Sequence, residues 1–174
     1  MKPVLLISFL LILLFSCKNK QEKNILAPEN WQNRNIKTVS FETYVKGSTY
    51  LPVYSQIYQL HGEKTYDLTV TISMRNISPA DTVYLFNANY YNTYGDKIRS
   101  YIQQPVFLKP LETIEIVIDE ADKEGGTGAN FIFNWAVKNK NITPLFEAVM
   151  ISTTGQQGIS FLTKGVKIEN TGSH

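Results

Sequence analysis

Residues 66–75 read YDLTVTISMR, and this stretch decides the fold. Apolar and polar side chains alternate along it, and the same alternation recurs at 113–119 and at 131–137. Because successive side chains of a strand point to opposite faces of a sheet, each stretch predicts a β-strand with one buried face. The residues expected on those buried faces are Leu68, Val70, Ile72, Met74, Ile114, Ile116, Ile118, Phe131, Phe133, Trp135 and Val137.

The rest of the chain is also typical of strands joined by short turns. Turn residues occur at 76–81, 92–96 and 109–112, and residues 121–124 offer at most one helical turn. About eight to nine short strands without a useful helix predict an all-β fold, an antiparallel β-sandwich. Further strand candidates are 39–45, 53–58, 83–91, 98–103, 146–153 and 159–162. The order of strands and turns over 68–118 resembles immunoglobulin-like domains of bacterial secreted proteins, and the resemblance implies that architecture only.

The first residues have the pattern of a secretory signal. Residues 1–17 read MKPVLLISFLLILLFSC, with one lysine and then an apolar run at 4–15. That run is shorter than the roughly 20 apolar residues that a membrane-spanning helix needs. Residues 14–17, LFSC, resemble the lipobox of bacterial lipoproteins. The resemblance implies a signal peptide at 1–16 that is cleaved before Cys17, and lipidation of Cys17 with acyl chains of the palmitate type.

The segment that follows predicts a tether and an envelope address. Residues 17–35 are polar after the cysteine and rich in Asn, Lys and Gln, which favours a flexible linker ahead of a domain at 36–174. Lys18 stands where an inner-membrane retention signal would have Asp, and the tract is not the acidic signal associated with surface export. We therefore expect an outer-membrane lipoprotein whose domain faces the periplasm, with the cell surface as the alternative.

Charge gives no indication of nucleic acid as a partner. The formal net charge is +2, and it becomes +1 after residue 16 because Lys2 is the one charged residue before Cys17. No basic patch interleaves with aromatic residues, which is the pattern that nucleic-acid binding would favour.

Four segments together resemble one bacterial domain-of-unknown-function family of small secreted or lipid-anchored proteins. They are YLPVYSQIY at 50–58, GGTGANF at 125–131, EAVM at 147–150 and QGISF at 157–161. The resemblance implies a shared fold and an extracytoplasmic setting, and it implies no reaction.

No motif organises a catalytic nucleophile or base. The histidines are His61, in a predicted turn, and His174, and Cys17 is the only cysteine. The glycines at 125–128 are not followed by the Lys-Ser/Thr of a phosphate loop. A pair of carboxylates in a hydrolase remains an alternative, because spacing along the chain does not fix spacing in the fold.

An acidic cluster is a candidate site for a hard cation. Its members are Asp119, Glu120, Asp122 and Glu124, and two glycines follow them. Alternating oxygen ligands before a glycine turn could surround Ca²⁺, although the spacing is not that of an EF-hand. We favour the simpler interpretation, a solvated loop without a metal or other cofactor.

Tyrosines are the second candidate site. They are Tyr50, Tyr54, Tyr58, Tyr90 and Tyr91. Neighbouring strand residues point to opposite faces, so one of the adjacent pair at 90 and 91 is expected to face outward. Exposed tyrosines stack on sugars or anchor protein partners, and Pro52 predicts an edge strand or a bulge that could accept a partner strand.

These observations favour a non-catalytic binding or assembly module, tethered to a membrane through its lipid, that presents an edge or loop end to an envelope protein. A Ca²⁺- or glycan-binding domain is the first alternative, and a hydrolase of unknown type is the second.

Overall fold

The structure, a computed structural model, describes Arg34, Ile36 and residues 39–60, 62–153 and 158–169. Residues 1–33, which include the predicted signal peptide, Cys17 and most of the predicted tether, lie outside the described residues, as do His61 and His174. The described part contains twelve strands and a short 3-10 turn at Gly126–Gly128. The strands are β1 (Val45–Pro52), β2 (Gln56–Gln59), β3 (Lys64–Asp67), β4 (Thr69–Arg75), β5 (Val83–Tyr91), β6 (Lys97–Ile102), β7 (Val106–Leu108), β8 (Thr113–Ile118), β9 (Asn130–Val137), β10 (Leu145–Ser152), β11 (Ile159–Lys164) and β12 (Val166–Ile168).

The strands form two main sheets that pack as a sandwich. The larger sheet has six strands in the order β12-β1-β9-β5-β6, with β7 also paired to β5. The smaller sheet has four strands in the order β11-β10-β4-β8, and β2 and β3 form a separate hairpin. Every pairing is antiparallel. The all-β antiparallel sandwich predicted from the alternation is confirmed.

Aromatic rings join the two sheets at the centre of the core. Phe133 of the larger sheet stacks on Phe146 of the smaller one, with ring centroids 4.3 Å apart, and Phe131 stacks beside Phe133 at 5.5 Å. Each of these side chains is fully buried, and such burial stabilises the fold by roughly 1.5–3 kcal/mol per side chain. The predicted inward set at 68–74 and 131–137 is buried as expected.

The first strand of the larger sheet differs from the prediction. A strand was expected at 39–45, but β1 begins at Val45 and runs to Pro52. The inward positions of β1 include Gly47 and Thr49, and both residues face the indole of Trp135. A Cβ at Gly47 would overlap the Trp135 ring, and the Trp135 Nε1–H donates to Thr49 Oγ1 at 2.9 Å. A glycine and a threonine on the inner face hide the apolar alternation that marks the other strands.

Short strands account for the other differences. β7 and β12 have three residues each, too few to show a period, and the predicted strand at 53–58 is replaced by β2. The single strand expected at 66–75 divides at Leu68, whose N–H donates to the Ser55 carbonyl at 2.9 Å. The predicted strand at 83–91 has the bounds of β5.

The segment with Pro52 is not an edge strand, and that part of the prediction is wrong. β1 lies between β9 and β12. The Val53 N–H donates to Ala129 on the β9 side at 2.9 Å, so the nitrogen of Pro52 faces the opposite side. β12 pairs only with residues 48–50. Pro52 therefore lacks its N–H at a place where no neighbouring strand needs it.

Candidate functional site: the two outer faces of the sandwich

The outer face of the larger sheet is lined by amides, hydroxyls and tyrosines. Because the sheet's inner face supplies the core, alternate side chains of β1, β9, β5 and β6 point away from it. Strand register arranges these outward residues in three rows. The rows are Ile168-Ser48-Asn134-Asn87, Val166-Tyr50-Ile132-Asn89-Ser100 and Pro52-Asn130-Tyr91-Lys97, and together they form what we call the amide face.

Hydrogen bonds within the amide face fix the asparagine side chains. Ser48 Oγ donates to Asn134 Oδ1 at 2.6 Å, and Ser100 Oγ donates to Asn89 Oδ1 at 2.6 Å. The backbone N–H of Asn134 donates to Asn87 Oδ1 at 3.2 Å. The amide oxygens of Asn87, Asn89 and Asn134 are thus used within the sheet. Their Nδ2 groups make no hydrogen bond to a described residue.

Two tyrosines stand on the same face with the amides between them. Tyr50 of β1 is 36% exposed, and Tyr91 of β5 is partly exposed. Their strands are separated by β9 and Tyr91 lies one row beyond Tyr50, which places their Cα atoms roughly 12 Å apart. Ile132 lies beside Tyr50 in the same row. The face therefore offers amide donors bordered by flat, partly apolar surfaces.

An aromatic cluster limits the amide face at its β7 end. Phe41 packs edge-on against Tyr84 and Phe86 of β5, with ring centroids 5.2 and 4.9 Å away. Tyr44 also meets Tyr84 edge-on at 5.4 Å. Burial, followed by the neighbouring Tyr44 hydroxyl, raises the pKa of Tyr84. The segment before β1 thus covers one end of the outer face.

The outer face of the smaller sheet has the opposite character. Val117, Thr71, Val149 and Leu162 are in register across all four strands, and Ile151 lies in the next row. The aliphatic members are well exposed: Val117 43%, Val149 37%, Ile151 42% and Leu162 50%. We call these four the apolar stripe.

A row of charged side chains runs beside the apolar stripe. Arg75 Nε lies 3.4 Å from Glu147 Oε2, and Lys164 Nζ lies 3.7 Å from Glu147 Oε1. Ser73 Oγ donates to Glu115 Oε1 at 3.1 Å. The stripe is therefore an apolar strip with a mixed-charge border.

The predicted acidic loop is organised by an arginine. The guanidinium of Arg99 lies 2.8 Å from Asp122 Oδ2 and 2.9 Å from Glu124 Oε2. Asp119 Oδ1 accepts the N–H of Ala121 at 2.8 Å, and Glu120 makes no contact of this kind with a described residue. Among the described residues, no three carboxylate, histidine or cysteine side chains gather as a metal ion would require. The geometry gives two of these acids a cationic partner.

A second ion pair fastens the acidic loop to the hairpin. Lys123 Nζ lies 2.7 Å from Asp67 Oδ2, and Gln56 Nε2 donates to Asp67 Oδ1 at 2.8 Å. The hydrogen bond from Lys123, followed by the one from Gln56, lowers the pKa of the Asp67 carboxyl. The lysine within the acidic cluster therefore has a structural role.

The glycine-rich segment after the acids packs against Tyr90. A Cβ on Gly125 would overlap the Tyr90 hydroxyl, and Gly126 has a φ of +71°. Thr93 Oγ1 donates to the Gly125 carbonyl at 3.0 Å and accepts from the Gly128 N–H at 2.9 Å. Close approach and backbone conformation thus explain these glycines without a ligand.

A comparison with protein families matches residues 46–168 to a family model described as protein of unknown function. The chain belongs to the DUF3124 family. The matched span of the DUF3124 domain runs from the second residue of β1 to the last residue of β12, so it includes both outer faces.

Other comparisons add little to the family match. No curated protein matches the sequence. A structural neighbour, the crystal structure of Thermotoga maritima 1070, shares 9% identity at a TM-score of 0.41 and covers 69% of this chain and 94% of its own. In the described part of the DUF3124 chain, no helix has the length and apolar character needed to cross a bilayer.

The DUF3124 domain separates the predicted tyrosines. Tyr90 is fully buried, so its inclusion among partner-binding aromatics is wrong, and Tyr91 is the outward member of the pair. Tyr54 is partly buried edge-on against Phe161 at 5.8 Å. Tyr58 is 65% exposed on the hairpin. Only Tyr50 and Tyr91 share the amide face.

Sequence reasoning did not identify the asparagines or the apolar stripe. Asn is depleted in strands, and residues 83–91 and 130–137 of the DUF3124 domain contain it at 87, 89, 130 and 134. The repeated asparagines in these two strands could have indicated a polar outer face. For the stripe, the signal was the run LFEAVMIS of β10, in which both alternating sets contain aliphatic residues.

Proposed function

We propose that this DUF3124 protein is a lipid-anchored, non-catalytic module of the cell envelope that docks a protein partner on its apolar stripe. One observation carries the proposal: Val149, Ile151 and Leu162 are exposed on two adjacent strands of the smaller sheet, and Val117 is exposed in the same row beyond Thr71. Contiguous aliphatic surface with a polar rim is typical of protein interaction sites. The partner is expected to present an apolar patch of its own, bordered by charges.

The charged border favours a particular orientation of that partner. Glu147 contacts both Arg75 and Lys164, and these pairs lie along one side of the stripe. Rim charges contribute to register and to the association rate more than to affinity. The aliphatic residues would therefore supply the binding free energy, and the border would select the direction of docking.

The absence of a catalytic role is supported by the positions of the shifted titratable groups. Asp67 pairs with Lys123, and Tyr90 is in the core. Tyr101, whose pKa is raised by burial, accepts from Arg99 at 2.9 Å. These groups are engaged in packing or in ion pairs rather than gathered round an open space.

The lipid anchor is supported by the sequence. The lipobox-like residues 14–17 end at the only cysteine of the chain. Two or more acyl chains give stable anchoring, whereas one gives only marginal binding. We place the domain at the periplasmic face of the outer membrane, with the cell surface as the alternative.

The anchor is tested by labelling the full chain with palmitate in the bacterium that encodes it. The label should enter the wild-type protein and be absent from Cys17→Ser, which should also leave the membrane fraction. Separation of the two membranes, followed by protease treatment of intact cells, then gives the membrane and the face. Equal labelling of Cys17→Ser would remove the anchor from the proposal.

The docking site is tested by placing a photo-crosslinking residue at position 149 or 162 of the full chain in the same cells. Both positions should give one common adduct, and the position of Glu120, exposed outside the stripe, should not. The adduct from position 162 should be lost when Val149→Glu and Ile151→Glu are introduced. An adduct of twice the chain's mass, or the same adduct from all three positions, would contradict a specific protein partner.

A further inference from the structure

We infer that one end of the sandwich is a second docking surface, which lies on the anionic phospholipid bilayer that holds the lipid anchor. Three loops, at 76–82, 109–112 and 138–144, cross this end from one sheet to the other, and the segment 39–46 lies beside them. We call it the tether end. A contact between the folded domain and the bilayer goes beyond the proposed protein partner, although it rests on the lipid anchor of the proposed function.

The chain enters the domain at the tether end. Arg34 Nη1 lies 2.8 Å from Glu112 Oε1 in the loop 109–112, and the Ile36 N–H donates to the Pro105 carbonyl at 3.0 Å. Residues 17–33 separate the predicted lipid from Arg34, and that length of chain reaches about 60 Å at full extension. The anchor therefore holds this end at a high local concentration beside the bilayer, where a weak contact is enough for docking.

Exposed apolar side chains form the tips of two of these loops. Ile77 is 55% exposed and Leu111 is 68% exposed. The two loops lie together, because the Leu111 N–H donates to the Ser78 carbonyl at 3.0 Å. We call the exposed apolar residues of both loops the apolar tip, and its members are Ile77, Pro79, Ala80, Pro110 and Leu111. Aliphatic side chains on such a tip bind by entering the boundary between the headgroups and the acyl chains.

Lysines outnumber carboxylates around the apolar tip. The ion pair between Arg34 and Glu112 is neutral as a unit. Among the other described residues of the tether end, the charged side chains are Lys46, Lys109, Lys138 and Lys140, which are all exposed, with Glu42 and Asp81 as the carboxylates. Each lysine near an anionic surface adds to the attraction, and its long side chain lets the apolar tip enter beside it.

The opposite end of the sandwich has the opposite charge. It also exposes apolar side chains, Leu60 on the hairpin and Tyr94 in the turn 92–96, so exposure alone does not distinguish the two ends. The described carboxylates there are Glu63, Asp67, Asp96, Asp119, Glu120, Asp122 and Glu124, and the cations are Lys64, Lys97, Arg99 and Lys123. An anionic bilayer repels this end and attracts the tether end.

Docking of the tether end makes the sandwich stand on the bilayer. The strands then run away from the membrane, because the loops at this end join one sheet to the other. Both outer faces stay open at the sides. The apolar stripe is therefore free to hold a protein partner while the bilayer is bound.

The experiment compares a fluorophore at the two ends of the full chain, purified from membranes and reconstituted in vesicles. Ala80→Cys carries the label in the apolar tip, and Ala121→Cys, exposed in the acidic loop, is the matched control. Because the lipid occupies the Cys17 sulfur, the label enters one position. With phosphatidylglycerol in the vesicles, a lipid that carries a nitroxide near its headgroup should quench position 80 and not position 121. In phosphatidylcholine alone, or at high salt, that quenching should be lost.

The aliphatic contribution is tested at two leucines with positive φ. Leu111→Asn removes the aliphatic side chain at a φ of +59°, a conformation that asparagine adopts more readily than leucine. It should lower the ratio of docked to undocked chains by about ten-fold or more. Leu60→Asn, at a φ of +45° and on the opposite end, is the matched control and should leave the ratio unchanged.

The charge contribution is tested by two double variants that change the net charge equally. Lys138→Glu with Lys140→Glu should lower the ratio of docked to undocked chains by about ten-fold or more in phosphatidylglycerol vesicles. Lys64→Glu with Lys97→Glu, at the opposite end, should leave that ratio unchanged.

Three results would overturn the bilayer contact. They are equal quenching at positions 80 and 121, quenching at position 80 that is the same in phosphatidylcholine, and an unchanged ratio in Leu111→Asn.

Failure of the proposed function gives different results. Flotation of the lipidated chain with vesicles reports the anchor. If it does not float, Cys17→Ser with a histidine tag before it, held by a nickel-chelating lipid, still tests the tether end by the same quenching. The photo-adduct formed at position 149 should persist in Leu111→Asn. Loss of that adduct in the wild type would count against the protein partner and not against the bilayer contact.

Discussion

The two outer faces of the sandwich differ as much as the two inner faces agree. Inside, both sheets contribute fully buried aliphatic and aromatic side chains to one core. Outside, the larger sheet exposes amides, hydroxyls and tyrosines with Lys97 at one edge, and the smaller sheet exposes aliphatic residues beside a row of ion pairs. The inner faces specify the fold, and the outer faces are free to differ. The function of such a domain therefore depends on the residues of its outer surfaces and not on its architecture.

The two outer faces also differ in the interactions that each could make with a ligand. On the amide face, hydrogen bonds within the sheet hold the side chains and leave directed donors, which favours selective recognition of polar groups. On the stripe, association would depend on removing apolar area from water, which has no direction of its own. The ion-paired border beside Glu147 is the part of that face that can supply direction.

The largest expected effect comes from breaking the core that both faces share. Gly47→Val places a branched side chain where Trp135 lies, so the domain should lose about 3 kcal/mol or more of its free energy of unfolding. Chemical denaturation gives the value. Gly158→Ala is the matched control, because its added methyl meets only the Ser152 carbonyl at an ordinary 3.6 Å. Equal stability of both variants would show that Gly47 is not required by the indole.

The position of Gly47 also shows why sequence reasoning placed β1 wrongly. Strands with apolar inward residues, such as β4, β8 and β9, are recognised by the alternation of apolar and polar residues. Their ends were predicted to within a residue or two, apart from the division at Leu68. In β1 the inward positions at 47 and 49 are small or polar because Trp135, far away in the sequence, fills the space. A local pattern cannot report a contact with a distant residue.

The same limit applies to the candidate sites. Tyr50 and Tyr91 were named from the sequence because tyrosine is conspicuous in itself. The alignment of Ser48, Asn134 and Asn87 depends on the register of three strands and on the shift between Leu85 and Asn87. Only the assembled sheet brings them into one row. The apolar run of β10 was ambiguous, because a strand buried on both faces reads the same way.

A medium effect is expected at the turn that leads from the smaller sheet to the larger one. Asn76 is 2% exposed, and its Nδ2 lies 2.7 Å from the Asp81 carbonyl and 2.9 Å from the Lys109 carbonyl. Asn76→Ala leaves these partly buried carbonyls, and the buried carbonyl of Leu108, without a side-chain donor and should cost about 2 kcal/mol. Ile77→Ala, at a side chain 55% exposed, is the control and should change stability by no more than about 0.5 kcal/mol. Similar values for the two would contradict a fastening role for Asn76.

A smaller effect of opposite sign is expected at Tyr90, the inward neighbour of Tyr91. Its hydroxyl is buried and has no hydrogen-bond partner in the described structure. Tyr90→Phe removes that unpaired group and should raise the free energy of unfolding by about 1 kcal/mol at neutral pH. Tyr58→Phe, on the exposed hairpin, should change nothing. A loss of stability in Tyr90→Phe would mean that the hydroxyl is paired in solution.

Tyr90 also predicts an alkaline dependence. Burial raises its pKa to about 12, against 10.0 for an unperturbed tyrosine, and the nearby Ser55 hydroxyl, which donates to the Gly126 carbonyl instead, opposes this rise only in part. As the pH rises, Tyr90 therefore loses its hydroxyl proton first in the unfolded chain. The free energy of unfolding of the wild type is unaffected by this group below pH 10 and declines as the pH rises from 10 through 12. The advantage of Tyr90→Phe over wild type should therefore widen over that interval in denaturation curves. A constant difference would contradict the raised pKa.

The smallest change in stability is expected from the stripe itself, and it separates a binding surface from a structural one. Val149→Thr with Ile151→Thr keeps both residues β-branched and removes exposed aliphatic area, so stability should change by no more than about 1 kcal/mol. Val70→Thr, at an inward position of the same sheet with no exposed surface, is the contrast and should cost several times as much. If the outward pair proved as costly as the inward residue, the stripe would be part of the domain's own packing. If the pair costs little and the photo-adduct from position 162 disappears with it, exposure of these side chains serves association and not folding.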